Sequence, residues 1–249
     1  MRVNRRPVCC AMLVVVGLLV AAPGVPCLLE AATTRQGINF HVSTKPIPLH
    51  VKALDFLHRH YQYQLLAQEI TKESRSDEDR VMAIFKWTRE QIRPTPPDWP
   101  VVDDHILHII IRGHGLPDQM ADVFTTLCTY AGVPAFWRIL TPPDSGVRLI
   151  ISMVKIENRW VLFDVANDLV FRNAGGEPAS IEDISADPGL VTKAANGLRP
   201  GNVPYEIYFT NSQPWKIPHM LRARLQMPGP RLWYEARRRL VGLSGQDDK

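Results

Sequence analysis

The chain has 249 residues, 45% of them hydrophobic and 22% charged, with 21 prolines; these proportions suit a folded globule and exclude disorder, collagen or coiled coil as a description of the whole. No run of eighteen apolar residues occurs beyond the N-terminus, which excludes a multi-span membrane protein. The formal charge of +4 is mild, and no Lys/Arg-rich stretch alternates with aromatics, so nucleic acid is not an expected partner.

Arg2, Arg5 and Arg6 precede an uncharged stretch from Pro7 to Leu29, whose apolar centre runs from Val8 to Ala22. A basic start followed by an apolar core of this length is an export pattern. Pro23, Gly24 and Pro26 break a helix near a cleavage region, where Ala31-Ala32 offers a small pair and Cys27 a weak imitation of a lipoprotein acceptor. An uncleaved membrane anchor through residues 8–29 is the alternative. Residues 1–32 are therefore expected to be a signal peptide or anchor, and the rest extracytoplasmic, periplasmic or secreted. Loss of this segment removes Cys9, Cys10 and Cys27 and leaves only Cys128, so the mature domain is expected to rest on its core and not on disulfides.

Val51, Leu54, Leu57, Tyr61, Leu65 and Ile70 recur at helical spacing and predict an amphipathic helix over 51–72. Ser76-Asp77-Glu78-Asp79 is a capping-box start for a helix with Val81, Ile84, Phe85, Thr88 and Ile92 on one face. The proline-rich stretch from Pro94 to Pro100 allows neither helix nor inner strand. A short apolar helix is expected from Asp103 to Ile111, a glycine loop from Arg112 to Pro117, and a helix from Asp118 to Ala131 closed by Gly132. The period then changes. Pro134–Leu140, Val147–Ile156 and Trp160–Val165 predict strands, the last two joined around Glu157-Asn158. Helices first and hairpin-linked strands after them indicate an α+β fold, with helices packed on an antiparallel sheet. After about residue 166 the signal weakens, and residues 171–249 read as a C-terminal extension with a basic terminal helix holding Arg237, Arg238 and Arg239.

The stretch from Arg112 through Gly113-His114-Gly115-Leu116-Pro117-Asp118-Gln119 to Gly132-Val133-Pro134-Ala135 resembles the first motif of the transglutaminase-like family, which shares the papain-related fold. Asn158-Arg159-Trp160-Val161-Leu162-Phe163-Asp164 is similar to the latter half of its second motif, and the helix from Arg80 to Ile92 fits the family's lead-in. The resemblance covers about 51–170; with the stretch before it, 33–170 is read as the transglutaminase-like domain. It implies a fold more than an activity.

The family's chemistry uses a Cys at a helix N-terminus as nucleophile, a His on the adjacent strand as base, and an Asp on the next strand to orient the imidazole. On this sequence the motif places Pro117 at the nucleophile position, Leu149, beside Arg148, near the base position, and Asp164 at the third. No shift of register supplies the missing groups. Cys128 lies about ten residues inside the helix, roughly 15 Å along its axis, and no histidine occurs between His114 and His219. Proline instead suits the first turn of a helix.

Asp164 reads either as a surviving orienter or as a carboxylate tying two strands together, and Cys128 as a small core residue. His105, His108 and His114, with Asp103, Asp104, Asp118 and Asp122 nearby, admit a metal reading, but their spacing favours solvated or capping roles, and no metal or cofactor is expected. Trp99, set among prolines, is a candidate groove wall. Asp118, Gln119 and Arg148 are candidate binding residues; Arg148 either offers a cation to a carboxylate or phosphate or points to solvent. The tail arginines lie against anionic lipid heads or form a solvated face.

The resemblance thus implies an exported transglutaminase-like domain without thiol catalysis that binds a peptide, a cell-envelope glycan or a partner protein. The alternatives are a hydrolase or acyl transferase using non-thiol groups around His105–His114, and a structural subunit of an envelope assembly.

Overall fold

The computed structural model describes residues 33–38, 41–100, 105–142, 146–210 and 216–241. The expected leader at 1–32 and the candidate residues Asp103 and Asp104 lie outside them. The chain divides into two units, one ending at His58 and one beginning at Arg59. In the first, β1 (Thr33–Ile38) pairs antiparallel with β2 (His41–Pro48), with Thr33 opposite Pro48 and Ile38 opposite His41. Helix α1 (Leu49–Ile70) begins there and runs on into the second unit.

From Arg59 onward, local signals explain most element boundaries. Helix α2 (Asp77–Gln91) starts at the expected capping box: the Asp79 N–H donates to Ser76 Oγ at 3.0 Å and the Ser76 N–H donates to Asp79 Oδ2 at 3.0 Å. The two-residue β3 (Arg93–Pro94) follows. Helix α3 (Ile106–Arg112) ends on Gly113 at φ 71°, a left-handed cap that glycine accepts without strain. Strand β4 (His114–Gly115) then pairs in parallel with β3. Helix α4 (Pro117–Tyr130) is the central helix, with ten of the eleven residues from Gln119 to Thr129 buried, Asp122 being the exception.

The sheet is the antiparallel meander β5 (Ala135–Leu140), β6 (Leu149–Ile156), β7 (Arg159–Asp164), β8 (Leu169–Val170), in that spatial order. Glu157 and Asn158 join β6 to β7 with φ of 46° and 68°, the two left-handed residues that a tight hairpin turn needs. The architecture is α+β, with helices on an antiparallel four-stranded sheet. The expected strands at 134–140, 147–156 and 160–165 each lie within two residues of the observed ones. The expected helix at 103–111 is seen from Ile106, with His105 at its N-cap.

Strand β6 is buried on both faces, which is why it reads as a continuous apolar run. Val154 and Ile156 join one core with Phe85, Phe124, Leu127 and Phe163, beneath α2 and α4. Leu149, Ile151 and Met153 point the other way, into a second core. The C-terminal extension supplies the far side of that second core through α5 (Ile181–Ala186), α6 (Gly189–Ala195), α7 (Tyr205–Thr210) and Leu221; one 3-10 turn (Pro200–Asn202) precedes α7, and a second (Arg222–Gln226) precedes α8 (Pro228–Val241). Two contacts fasten this extension to α4 and β5. Tyr130 Oη donates to the Gln226 carbonyl at 2.8 Å. Asp122 accepts from Trp137 Nε1 at 2.6 Å and pairs with Arg222 at 3.3 Å. Burial raises the Asp122 carboxyl above its usual range, against the pull of Arg222 and Trp137.

One expectation is corrected within the second unit. Tyr61 and Leu65, expected on the buried face of the first helix, are exposed, whereas Arg59, Tyr63 and Ala67 are buried. The buried face follows a specific partner: Tyr63 Oη accepts the Leu107 N–H at 3.0 Å, satisfying one of the unpaired donors at the start of α3.

Candidate functional site

A cleft of about 310 Å³ opens where the start of α4 meets the ends of β6 and β7. Pro94 and Thr95 form one side, and Gly115, Leu116, Pro117 and Met120 follow from β4 into α4. Arg148, Leu149 and Ile150 come from the start of β6, Asp164, Ala166 and Asn167 from the end of β7, and Pro200 from the extension. Four of the expected site residues, Pro117, Arg148, Leu149 and Asp164, are therefore gathered at one place although up to 47 positions separate them in the sequence.

The start of α4 is built for rigidity. Pro117 occupies its first turn, where the missing N–H costs nothing. Leu116 at the N-cap has no side-chain oxygen, so the end is closed from within the helix: Gln119 Oε1 accepts the Leu116 N–H at 3.0 Å and a guanidinium N–H of Arg112 at 2.9 Å. Gly115 permits this approach, because a Cβ there would stand 3.1 Å from Gln119 Cβ and 3.2 Å from Ile109 Cγ2. Gln119, expected as a binding residue, is thus buried and committed to the helix start. Asp118 is exposed and accepts the Gln119 N–H at 2.9 Å. Neither lines the cleft.

Leu149 is 3% exposed and belongs to the second core, whereas Arg148 beside it is exposed at the rim. Trp99 is 54% exposed and does not line the cleft; its indole stands nearly perpendicular to the His114 ring with centroids 4.9 Å apart. His114 Nδ1 in turn lies 3.2 Å from the Thr95 hydroxyl, which does line it. The rings of His105, at the N-cap of α3, and His108, within it, sit 6.0 Å apart. Among the described residues no group of three His, Cys, Asp or Glu side chains is placed to hold a metal ion.

Asp164 is fully buried, and its oxygens are engaged. Oδ1 accepts the Asn167 N–H at 3.0 Å; Oδ2 accepts Asn167 Nδ2 at 2.9 Å and the Tyr205 hydroxyl at 2.6 Å. Burial raises its carboxyl above the ordinary value, and these donors, together with the Ala166 N–H, oppose that rise. Burial and the neighbouring carboxylate push the Tyr205 phenol far above its usual range, so it remains a donor. Neither Asn167 nor Tyr205 is foreseen by the sequence reading. Tyr205, Tyr208 and Phe209 stand at i, i+3 and i+4, a helical signal inside the weakly patterned tail, but nothing local links it to Asp164.

Cys128 is buried in the first core, where desolvation pushes its thiol well above the usual range.

Residues 64–165 match the family model of the transglutaminase-like superfamily. It is over this segment that the chain resembles a transglutaminase-like core. The match begins in α1 and ends just beyond Asp164, so it contains both α4 and the β5–β7 meander. No curated protein matches the chain. Among solved structures, it is similar to a candidate cysteine protease from Cytophaga hutchinsonii, at 16% identity and a TM-score of 0.38 over 43% of this chain and 37% of that one. It is also similar to a candidate protease from Parabacteroides distasonis, at 13% identity and a TM-score of 0.36 over 53% of this chain and 35% of that one. The match thus spans little more than a third of either neighbour.

Proposed function

We propose that this chain is an exported transglutaminase-like protein whose cleft binds a peptide, a cell-envelope glycan or a partner protein without thiol catalysis. The observation that carries this reading is the start of α4 at the cleft wall. It presents Pro117, a residue with no nucleophile, while Cys128 is buried in the core with a raised thiol pKa. Leu149 at the start of β6 supplies no base, and Asp164 already has three donors. What remains is a largely apolar recess with one guanidinium at its rim, a geometry suited to holding a segment of chain. Export rests on the basic and apolar pattern of residues 1–29, which are either removed or retained as an anchor.

A second reading has one observation in its favour. The Thr95 hydroxyl on the cleft wall and His114 Nδ1 are 3.2 Å apart, a hydroxyl and a base within hydrogen-bond reach. It would make the protein a hydrolase or acyl transferase acting without a thiol.

The test is an amidase and acyl-transfer assay of the purified chain, with and without iodoacetamide, beside Pro117→Cys/Leu149→His and His114→Gln. Binding without thiol catalysis predicts a silent wild type and alkylation-sensitive activity in the double variant. Wild-type activity that survives iodoacetamide and disappears in His114→Gln would overturn it in favour of the second reading.

A further inference from the structure

Helix α8 is out of proportion to what it packs against. None of its residues from Pro228 to Arg237 is buried. Leu232 and Trp233 are 64% and 65% exposed, and Ala236 and Arg237 are exposed as well. A fourteen-residue helix is near the length at which isolated helices are only marginal in water. Leu232, Trp233 and Ala236 fall at i, i+1 and i+4 and form one apolar strip, with Arg237 a turn beyond Trp233. Arg231, one turn before Glu235, is held to it at 2.7 Å. The sequence continues with Arg238 and Arg239, so the helix carries four arginines against one glutamate.

An acidic protein surface or a nucleic acid would use the arginines but leave the leucine and the indole in water. A bilayer interface uses both: indole and leucine enter the upper acyl region while guanidinium groups remain at the phosphates. We propose that α8 is an interfacial helix that docks on anionic phospholipid surfaces through Leu232, Trp233 and Arg237. The inference is independent of what the cleft binds.

The probe is the fluorescence of Trp233 in the full chain, taken as the difference between wild type and Trp233→Phe. The vesicles carry brominated acyl chains and consist of phosphatidylcholine with or without phosphatidylglycerol. The apolar N-terminal stretch is itself able to hold the chain on either vesicle, so co-sedimentation alone does not decide the matter, whereas bromine quenching of Trp233 does. The expected result is quenching on phosphatidylglycerol vesicles that weakens at high salt and needs on the order of tenfold more lipid in Arg237→Glu. Leu232→Ser reads the apolar contribution separately, and unchanged urea midpoints in both variants confirm that they fold. Three results would each overturn the inference: Trp233 unquenched on vesicles that carry the protein, quenching indifferent to phosphatidylglycerol and to Arg237→Glu, or equal shielding of Trp233 from iodide by polyglutamate in solution.

Discussion

Replacing Tyr205 by Phe removes one oxygen and leaves the ring, which is 1% exposed and packs edge-on to Phe171 with centroids 6.3 Å apart. The bond it deletes, 2.6 Å to Asp164 Oδ2, is as short as charge-assisted O–H···O contacts are. Such bonds to ionised groups contribute about 1.5–3 kcal/mol net, and Asp164 keeps both donors of Asn167, so the expected loss at neutral pH is about 2 kcal/mol. The sign of the pH dependence follows from Asp164. Its folded-state pKa already lies above the ordinary value of 3.8 because of burial, and removal of a donor raises it further. The folded variant therefore takes up a proton at higher pH than the wild type, and each form gains stability as pH falls through its own folded pKa. The deficit is full where Asp164 is ionised and shrinks toward about 1 kcal/mol, a neutral hydrogen bond, as the pH falls. Urea unfolding of both proteins at stepwise lower pH measures this directly. A deficit under about 0.5 kcal/mol at neutral pH, or one that is constant or grows in acid, would refute the argument.

Tyr208→Phe is the matched control. Its hydroxyl donates to the neutral carbonyl of Pro200 at 2.8 Å, so a loss of about 1 kcal/mol with no change across the same pH range is expected from the same urea series. Gly201→Ala should destabilise by about 2–4 kcal/mol, because φ is +58° and the new Cβ would stand 2.5 Å from Val147 Cγ1; a thermal midpoint unchanged by the substitution would show that the 3-10 turn yields freely. Gln119→Ala should cost about 1–3 kcal/mol by freeing the Leu116 N–H and an Arg112 N–H, whereas Gln119→Glu, still an acceptor and now charged at the helix start, should match or exceed the wild type. Cys128 should resist iodoacetamide in the native protein and react fully in urea, as read by mass spectrometry of its peptide; native modification at the rate of a free thiol would mean that the first core opens.

What was legible in the sequence was what local chemistry decides. The capping box at Ser76 and the turn at Glu157-Asn158 each need particular residues at particular backbone angles, and each is where the pattern placed it; Gly113, expected only as part of a glycine loop, is the left-handed cap of α3. The α+β class followed from the change of period near residue 134. The face of α1 was misread because hydrophobicity alone does not know that the Tyr63 hydroxyl will cap α3, or that Leu65 will remain in water. The cleft was half legible. Pro117, Leu149 and Asp164 came from motif spacing, but Asn167 and Tyr205 did not, since Tyr205 reaches Asp164 across 41 positions and a segment that carries almost no pattern. The role of the extension was hidden for the same reason. It covers a sheet face to which β6 gives Leu149, Ile151 and Met153, but a continuous apolar strand does not say which element covers which face.

On the proposed reading, each position of the former triad now serves the fold. Pro117 stabilises a helix start, Leu149 packs the second core, and Asp164 ties the end of β7 to the extension through Tyr205. This makes the last of the three the hardest to reverse. In Pro117→Cys/Leu149→His the new imidazole must compete for Asp164 with a phenol already bonded at 2.6 Å, whose proton stays in place because its pKa is pushed far up. Adding Tyr205→Phe frees one lone pair of Oδ2, at a stability cost of about 2 kcal/mol. A neutral imidazole gains orientation and basicity from such a carboxylate, and in catalytic triads that help is large. The triple variant should therefore exceed the double variant in alkylation-sensitive amidase activity by at least about tenfold, despite being less stable. Equal activity would mean that Asp164 never reaches the imidazole and is purely a tie between strand and extension. Lower activity in a triple variant shown by circular dichroism to be folded would mean that Tyr205 holds Asp164 in the orientation an imidazole would need.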